Sequence, residues 1–206
     1  MHRSEQKRSS ASGIRWTSAN IVTAIRVVLI PAWLFLSELY PAKSDGTSVN
    51  MAGFIIFVFY TFLASTDKID GYLARSKGEV TVFGKFLDPI ADKLLVVTGM
   101  VWLLEQSVVP VWAIVLVITR EFLVSGLRMV VAAKGTVIAA SDLGKWKTAT
   151  TMIALCSYML AIALPAGIPQ HVVFVVAHIN FYIALLLTAW SGIDYFMKSW
   201  DFLGER

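Results

Sequence analysis

Of 206 residues, 57% are hydrophobic and 16% charged, with a mean hydropathy of +0.68, against roughly 25% charged residues in soluble domains. That balance excludes an ordinary soluble domain, and the length accommodates one compact membrane bundle without a sizeable soluble domain beside it. The net charge of +4 reads as cytoplasmic loops facing anionic lipid rather than a nucleic-acid surface, while a single cysteine, Cys156, excludes a disulfide framework and a cysteine-rich metal site.

Residues 1 to 19 read as a basic cytoplasmic N-terminal segment, retained because no small-residue cleavage site follows it, and residues 20 to 206 as a single membrane domain. Six stretches are long and apolar enough to be helical spans: 20 to 40, 50 to 74, 88 to 106, 109 to 133, 145 to 165 and 170 to 197. Lys and Arg sort by connection. Arg3, Lys7, Arg8 and Arg15 precede the first span, Arg75, Lys77 and Lys85 flank the second connection, and Arg128, Lys134, Lys145 and Lys147 surround the fourth. Lys198 and Arg206 follow the last span, and the alternate connections hold only Lys43. Cytoplasmic loops collect such residues, so the expected fold is an all-α, six-transmembrane-helix bundle with both termini cytoplasmic. Trp16, Trp112 and Trp200 fall where interfacial belt residues belong.

The second span ends in STDKIDGYLARSK, and the third opens in GKFLDPIADKLL. At 100° per residue, Asp67, Asp70, Gly71 and Ala74 share one stripe of a helix, and Asp88 and Asp92 stand one turn apart on the next. Asp88 before Pro89 resembles an N-cap followed by proline at the first helical position. The short connection makes the two helices antiparallel neighbours, so four carboxylates meet at one depth near the cytoplasmic surface. Desolvated like charges repel and are driven to protonate unless a positive charge joins them. Lys68, Arg75 and Lys93 point roughly 90 to 120° away from the stripes and serve the rim better than the centre. A hard divalent cation, Mg²⁺ or Mn²⁺, is the better match. A pair of them would clamp a diphosphate for in-line displacement at phosphorus.

Two other classes fit less well. A structural salt-bridge network conflicts with the functional default for ionisable residues at membrane depth. A divalent-cation transporter would place its site at the midplane between inverted repeats, whereas these acids lie at one end and no repeat is visible.

The spacing D-x2-D-G-x2-A-R-x8-G-x3-D-x3-D runs without a gap through Asp67, Asp70, Gly71, Ala74, Arg75, Gly84, Asp88 and Asp92, and it resembles the signature of the CDP-alcohol phosphotransferases. NIVTAIRVVLIPAW, TREFLVSGLR and GKWKTATTMIAL look like the bacterial phosphatidylglycerophosphate synthases within that family, so the likeness covers residues 20 to 155. The resemblance implies a homodimeric six-helix bundle in the cytoplasmic (inner) membrane, its active site facing the cytoplasm. There an alcohol attacks the β-phosphorus of CDP-diacylglycerol and CMP leaves. It implies that Asp67, Asp70, Asp88 and Asp92 hold two Mg²⁺ or Mn²⁺ ions, that Asp92 is also the base on the acceptor hydroxyl, and that Gly71, Ala74 and Arg75 lie against the CDP moiety.

Arg120, Arg128, Lys145 and Lys147 are, by the same resemblance, candidates for gripping the acceptor's phosphate, with Glu121 as counter-charge. The acceptor expected is sn-glycerol 3-phosphate, with inositol phosphate, serine and phosphatidylglycerol as alternatives. Arg26, following Asn20 and Thr23 on the first helix, is expected to snorkel to the interface or to support the site from behind, with a hold on the donor diphosphate as the alternative. His171, His178 and Cys156 read as structural.

Overall fold

The computed structural model describes residues 17 to 42, 46 to 77, 81 to 136 and 142 to 203; the basic tail with Trp16 lies outside them. Six helices follow one another: α1 (Ser18–Leu39), α2 (Met51–Lys77), α3 (Val82–Glu105), α4 (Val111–Ala133), α5 (Asp142–Ala163) and α6 (Ile168–Leu203). No strand occurs among the described residues. Each of the first five has 22 to 27 residues, roughly 33 to 40 Å at 1.5 Å per residue, somewhat more than a hydrocarbon core of about 30 Å. Among the described residues, two helices are long and apolar enough to cross a membrane, over Asn20–Leu39 and Ile168–Trp200. The apolar part of α2 stops at Thr66, where the acidic stripe begins.

One difference from the sequence reading concerns Asp88. It does not cap a helix: α3 begins six residues earlier, at Val82, and Pro89 lies inside it. The cap is Thr81, whose hydroxyl accepts the Gly84 N–H at 3.0 Å. A threonine with extended backbone satisfies an orphan amide at the helix start, and the helix continues through Pro89 with one backbone donor fewer.

The helices pack through aromatic anchors. Trp33 of α1 is fully buried, donates its indole N–H to the Ile56 carbonyl at 3.0 Å, and meets Tyr60 and Trp102 with ring centroids 5.0 and 6.0 Å away. Tyr60 donates its hydroxyl to the Leu95 carbonyl at 3.0 Å, which ties α2 to α3. Gly99 makes room for that ring, since a Cβ there would stand 2.5 Å from the Tyr60 hydroxyl. Between α5 and α6, Tyr158 packs edge-on against Phe174, His178 and Phe181. Cys156 packs against the same core.

At one end of the bundle, Asn50 N–H reaches the Ala163 carbonyl and Ala166 N–H reaches Gly46, both at 2.9 Å. The α1–α2 and α5–α6 connections are therefore laced together. At the other end, α1 starts beside α3, and the ammonium of Lys134, which caps the end of α4, donates to the Phe202 carbonyl of α6 at 2.6 Å. The outer faces carry exposed Val28, Phe35, Phe62, Val115, Leu186 and Trp190, more apolar surface than a soluble monomer presents.

Candidate active site

Three polar residues climb α1 at successive turns, Asn20, Thr23 and Arg26, and all three are buried. Each reaches a polar partner on a neighbouring helix. Asn20 Oδ1 accepts the Thr81 hydroxyl at 2.8 Å. Thr23 donates its hydroxyl to Asp88 Oδ1 at 2.9 Å. Arg26 donates Nε–H to Thr66 Oγ1 at 3.1 Å and pairs through Nη1 with Asp92 Oδ1 at 3.5 Å.

Arg26 is therefore not a snorkelling residue. Its side chain is 2% exposed while that of Asp92 is 42% exposed, so the guanidinium sits behind the carboxylate. A cation among apolar helices is costly unless it faces a polar partner. Arg26 has one on each acid-bearing helix, and the supporting role expected as its alternative is the one the geometry fits.

Asp67, Asp70, Gly71, Ala74 and Arg75 fall on the last turns of α2, which continue directly from Thr66. Their side chains, like that of Lys68, lie outside the described residues. Among the described residues no three acidic, histidine or cysteine side chains gather into a metal-sized group, because half of the expected acids are not among them. The two that are described fit a hard divalent ion. The donors are carboxylate oxygens, each carboxylate has one oxygen engaged from α1, and Asp88 is exposed. Ligating carboxylates are commonly oriented by such hydrogen bonds from behind.

Gly84, the signature glycine, has a packing reason. A Cβ at that position would stand 2.6 Å from Asn20 Oδ1 and 3.3 Å from Thr81 Oγ1. The missing side chain lets α1 and α3 close together just where the cap forms.

The expected basic group divides. Arg120 of α4 pairs with Glu121 at 2.9 Å and donates to Ser191 of α6 at 3.1 Å. Lys147 of α5 engages the same Glu121 oxygen, so α4 and α5 meet at this carboxylate, the expected counter-charge, and α6 joins them through Arg120. Lys93, next to Asp92, donates its ammonium to Ser125 of α4, placing a further cation on the side of α3 that faces α4. Lys145 stands apart, 73% exposed and paired with Asp142 at 2.9 Å. That hydrogen bond and the positive charge behind it hold the Asp142 carboxyl below its ordinary range. Residues two apart on a helix lie about 200° from each other, so Lys145 and Lys147 cannot share a face. Arg128 is exposed and lies over the Tyr195 ring, 5.4 Å from its centroid.

Sequence reasoning did not find Thr66, Thr81, Ser125 or Ser191, hydroxyl residues with no distinguishing pattern. The signal that was present is N-x2-T-x2-R in α1, a polar residue at each turn of an otherwise apolar helix.

Residues 16 to 190 match the family model described as CDP-alcohol phosphatidyltransferase. The chain is 38% identical over 192 residues to the CDP-diacylglycerol–glycerol-3-phosphate 3-phosphatidyltransferase of Bacillus subtilis (strain 168), covering 89% of this chain and 95% of that protein. It is 37% identical over 177 residues to the protein of that name from Rickettsia bellii, covering 86% and 92%. The protein of that name from Haemophilus influenzae is 34% identical over 181 residues, covering 84% and 88%.

Gly84→Ala is expected to lower the melting temperature of the detergent-solubilised protein by several degrees, since overpacking typically costs about 1 to 3 kcal/mol. Adding Asn20→Ala, which removes the atom the new methyl meets, should recover part of that loss. If the double variant melts at the sum of the two single losses, the two positions do not touch.

Proposed function

The chain belongs to the CDP-alcohol phosphatidyltransferase family, and from that premise we propose that it transfers the phosphatidyl group of CDP-diacylglycerol to sn-glycerol 3-phosphate, giving phosphatidylglycerol phosphate and CMP. The observation that carries this reading is the polar floor under Asp88 and Asp92, which holds two carboxylates of the signature on one face of α3. Near full-length relatives bearing that activity in their names support the acceptor.

In the reaction, the acceptor's hydroxyl oxygen forms a bond to the β-phosphorus as the bond from that phosphorus to the CMP oxygen breaks. The Asp92 carboxylate takes the hydroxyl proton, and the electron pair of the broken bond leaves on CMP. Asp67, Asp70, Asp88 and Asp92 would hold two Mg²⁺ or Mn²⁺ ions, whose charge would offset that of the diphosphate and of the leaving CMP. Gly71 and Ala74 allow the CDP moiety close approach, with Arg75 beside it. Arg26 keeps Asp92 facing the acceptor from behind.

The acceptor's phosphate is held by Arg120 and Lys147. They bring two positive charges against the single Glu121 carboxylate, and charge-assisted hydrogen bonds suit a phosphate dianion. Arg128 and Lys145 act at the cytoplasmic rim, raising the local concentration of an anionic acceptor. The six helices span the cytoplasmic membrane with both termini and the acids on the cytoplasmic side, and two copies pair as a homodimer. The apolar outer faces support the membrane placement.

Supplying glycerol 3-phosphate, inositol phosphate, serine or phosphatidylglycerol singly with CDP-diacylglycerol tests the acceptor by CMP release. Glycerol 3-phosphate should be preferred. Lys147→Ala should raise its KM by about one to two orders of magnitude, with the donor KM little changed, because a charge-assisted contact is worth roughly 1.5 to 3 kcal/mol. Preference for inositol phosphate would keep the chemistry and discard the acceptor; preference for serine would also remove the role of Arg120 and Lys147.

Orientation is tested by single cysteines at Thr47, Ser107, Gly135 and Lys198 in a Cys156→Ala background. An impermeant thiol reagent applied to intact cells should label the first two and spare the last two. Labelling of all four from outside would overturn the arrangement.

A further inference from the structure

The hydroxyl of Thr23 has a carboxylate for an acceptor. Thr98, Thr151, Thr188 and Ser199 each donate to the carbonyl four residues back on their own helix. That local acceptor is available to any serine or threonine in a helix. Thr23, 2% exposed, donates across the helix interface to Asp88 Oδ1 at 2.9 Å. A hydrogen bond to a charged acceptor is stronger than one to a neutral carbonyl, and it takes one of the four or so lone-pair sites of the carboxylate. The Asp88 group is then fixed in rotation about its terminal bond, a torsion that is otherwise broad.

The neighbours of Thr23 keep it in register. Asn20, one turn before it, holds Thr81 at the start of α3, and Arg26, one turn after it, holds Asp92. Gly84 lets the helices approach closely at this level. The hydroxyl therefore meets Asp88 at a point fixed on both sides.

From this geometry we infer that Thr23 is a positioning residue: its hydroxyl sets the Asp88 carboxylate in the orientation that binds a divalent cation before any donor is present. The inference rests on the reading of Asp88 as a cation ligand, and Thr23 itself touches neither cation nor substrate. A purely structural role, in which Thr23 only joins α1 to α3, makes different predictions.

The test is Mn²⁺ binding to the purified full-length protein in detergent without donor, read from the paramagnetic signal of free Mn²⁺, alongside kinetics and melting temperature. Thr23→Val keeps the shape and removes the donor. It should weaken Mn²⁺ binding by about 10- to 100-fold, as is typical when the partner of a metal ligand is lost. It should also lower kcat with little change in the acceptor KM, and leave the melting temperature within a few degrees of the parent. Thr23→Ser should restore Mn²⁺ affinity and kcat. Asp88→Asn serves as the control. If Asp88→Asn weakens Mn²⁺ binding and Thr23→Val does not, the positioning role is wrong and the cation site stands. If Asp88→Asn leaves Mn²⁺ binding intact, the cation reading of Asp88 falls and the inference falls with it. A lowered melting temperature shared by Thr23→Val and Thr23→Ser, with Mn²⁺ affinity restored by neither, would assign Thr23 to packing alone.

Discussion

A carboxylate on an apolar helix must have its charge answered, and in this protein the Arg26–Asp92 pair answers it from behind. The guanidinium is buried and the carboxylate half open, so the cation belongs to the scaffold and the anion to the site. Burying such a cation among apolar helices is costly, and that cost is offset only if Arg26 reaches Thr66 and Asp92 together. One side chain thereby constrains the positions of α1, α2 and α3 at the level where both acidic stripes start.

The rest of the near end follows from that requirement. With α1 pinned at Arg26, Asn20 falls beside the start of α3, and Gly84 must lack a side chain for the two helices to close. Thr81 serves twice: its oxygen accepts the Gly84 N–H and its proton goes to Asn20. The far half of the bundle is held by aromatic packing with hydrogen bonds to backbone carbonyls. There Trp33, Tyr60 and Trp102 fill the space between α1, α2 and α3, and the indole and phenol groups of the first two find backbone carbonyls. A rigid apolar half below a polar, partly open half allows carboxylates to be held for a highly charged substrate without loosening the fold. A second polar junction at Glu121 joins α4 and α5, and through Arg120 reaches α6. The two junctions are bridged by Lys93, which leaves the Asp92 turn of α3 for Ser125 of α4.

Much of this was legible in the sequence, for physical reasons that can be named. Helix positions were readable because long apolar runs mark them, and all six helices overlap their expected spans, with ends that differ by up to six residues. Asp67, Asp70, Asp88 and Asp92 stand out in the sequence as costly exceptions to an apolar pattern, and the described side chains include those of Asp88 and Asp92. The start of α3 was misread at Asp88 because an Asp-Pro pair carries a strong local capping signal, while the true cap, Thr81, stabilises the helix through Asn20, a partner 61 residues away. Arg26 could be read as snorkelling or supporting until its partners on two other helices were known. Lys145 and Lys147 looked alike as neighbouring cations, and only helix direction and the position of Glu121 separate an exposed ion pair from a buried one. Hydroxyl partners such as Thr66 and Ser125 were invisible because their role depends wholly on what the fold brings opposite them.

The central claim is that carboxylates from the end of α2 and the start of α3 form one cation site on a floor supplied by α1. Anomalous scattering from crystals of the full-length protein grown with Mn²⁺ and CDP-diacylglycerol tests it most directly. The account predicts manganese peaks bridged by Asp67, Asp70, Asp88 and Asp92, with the Thr23 hydroxyl still on Asp88 and the Arg26 guanidinium still behind Asp92. Manganese bound away from Asp88 and Asp92, or a site in which Arg26 has turned away to the lipid-facing surface, would contradict it.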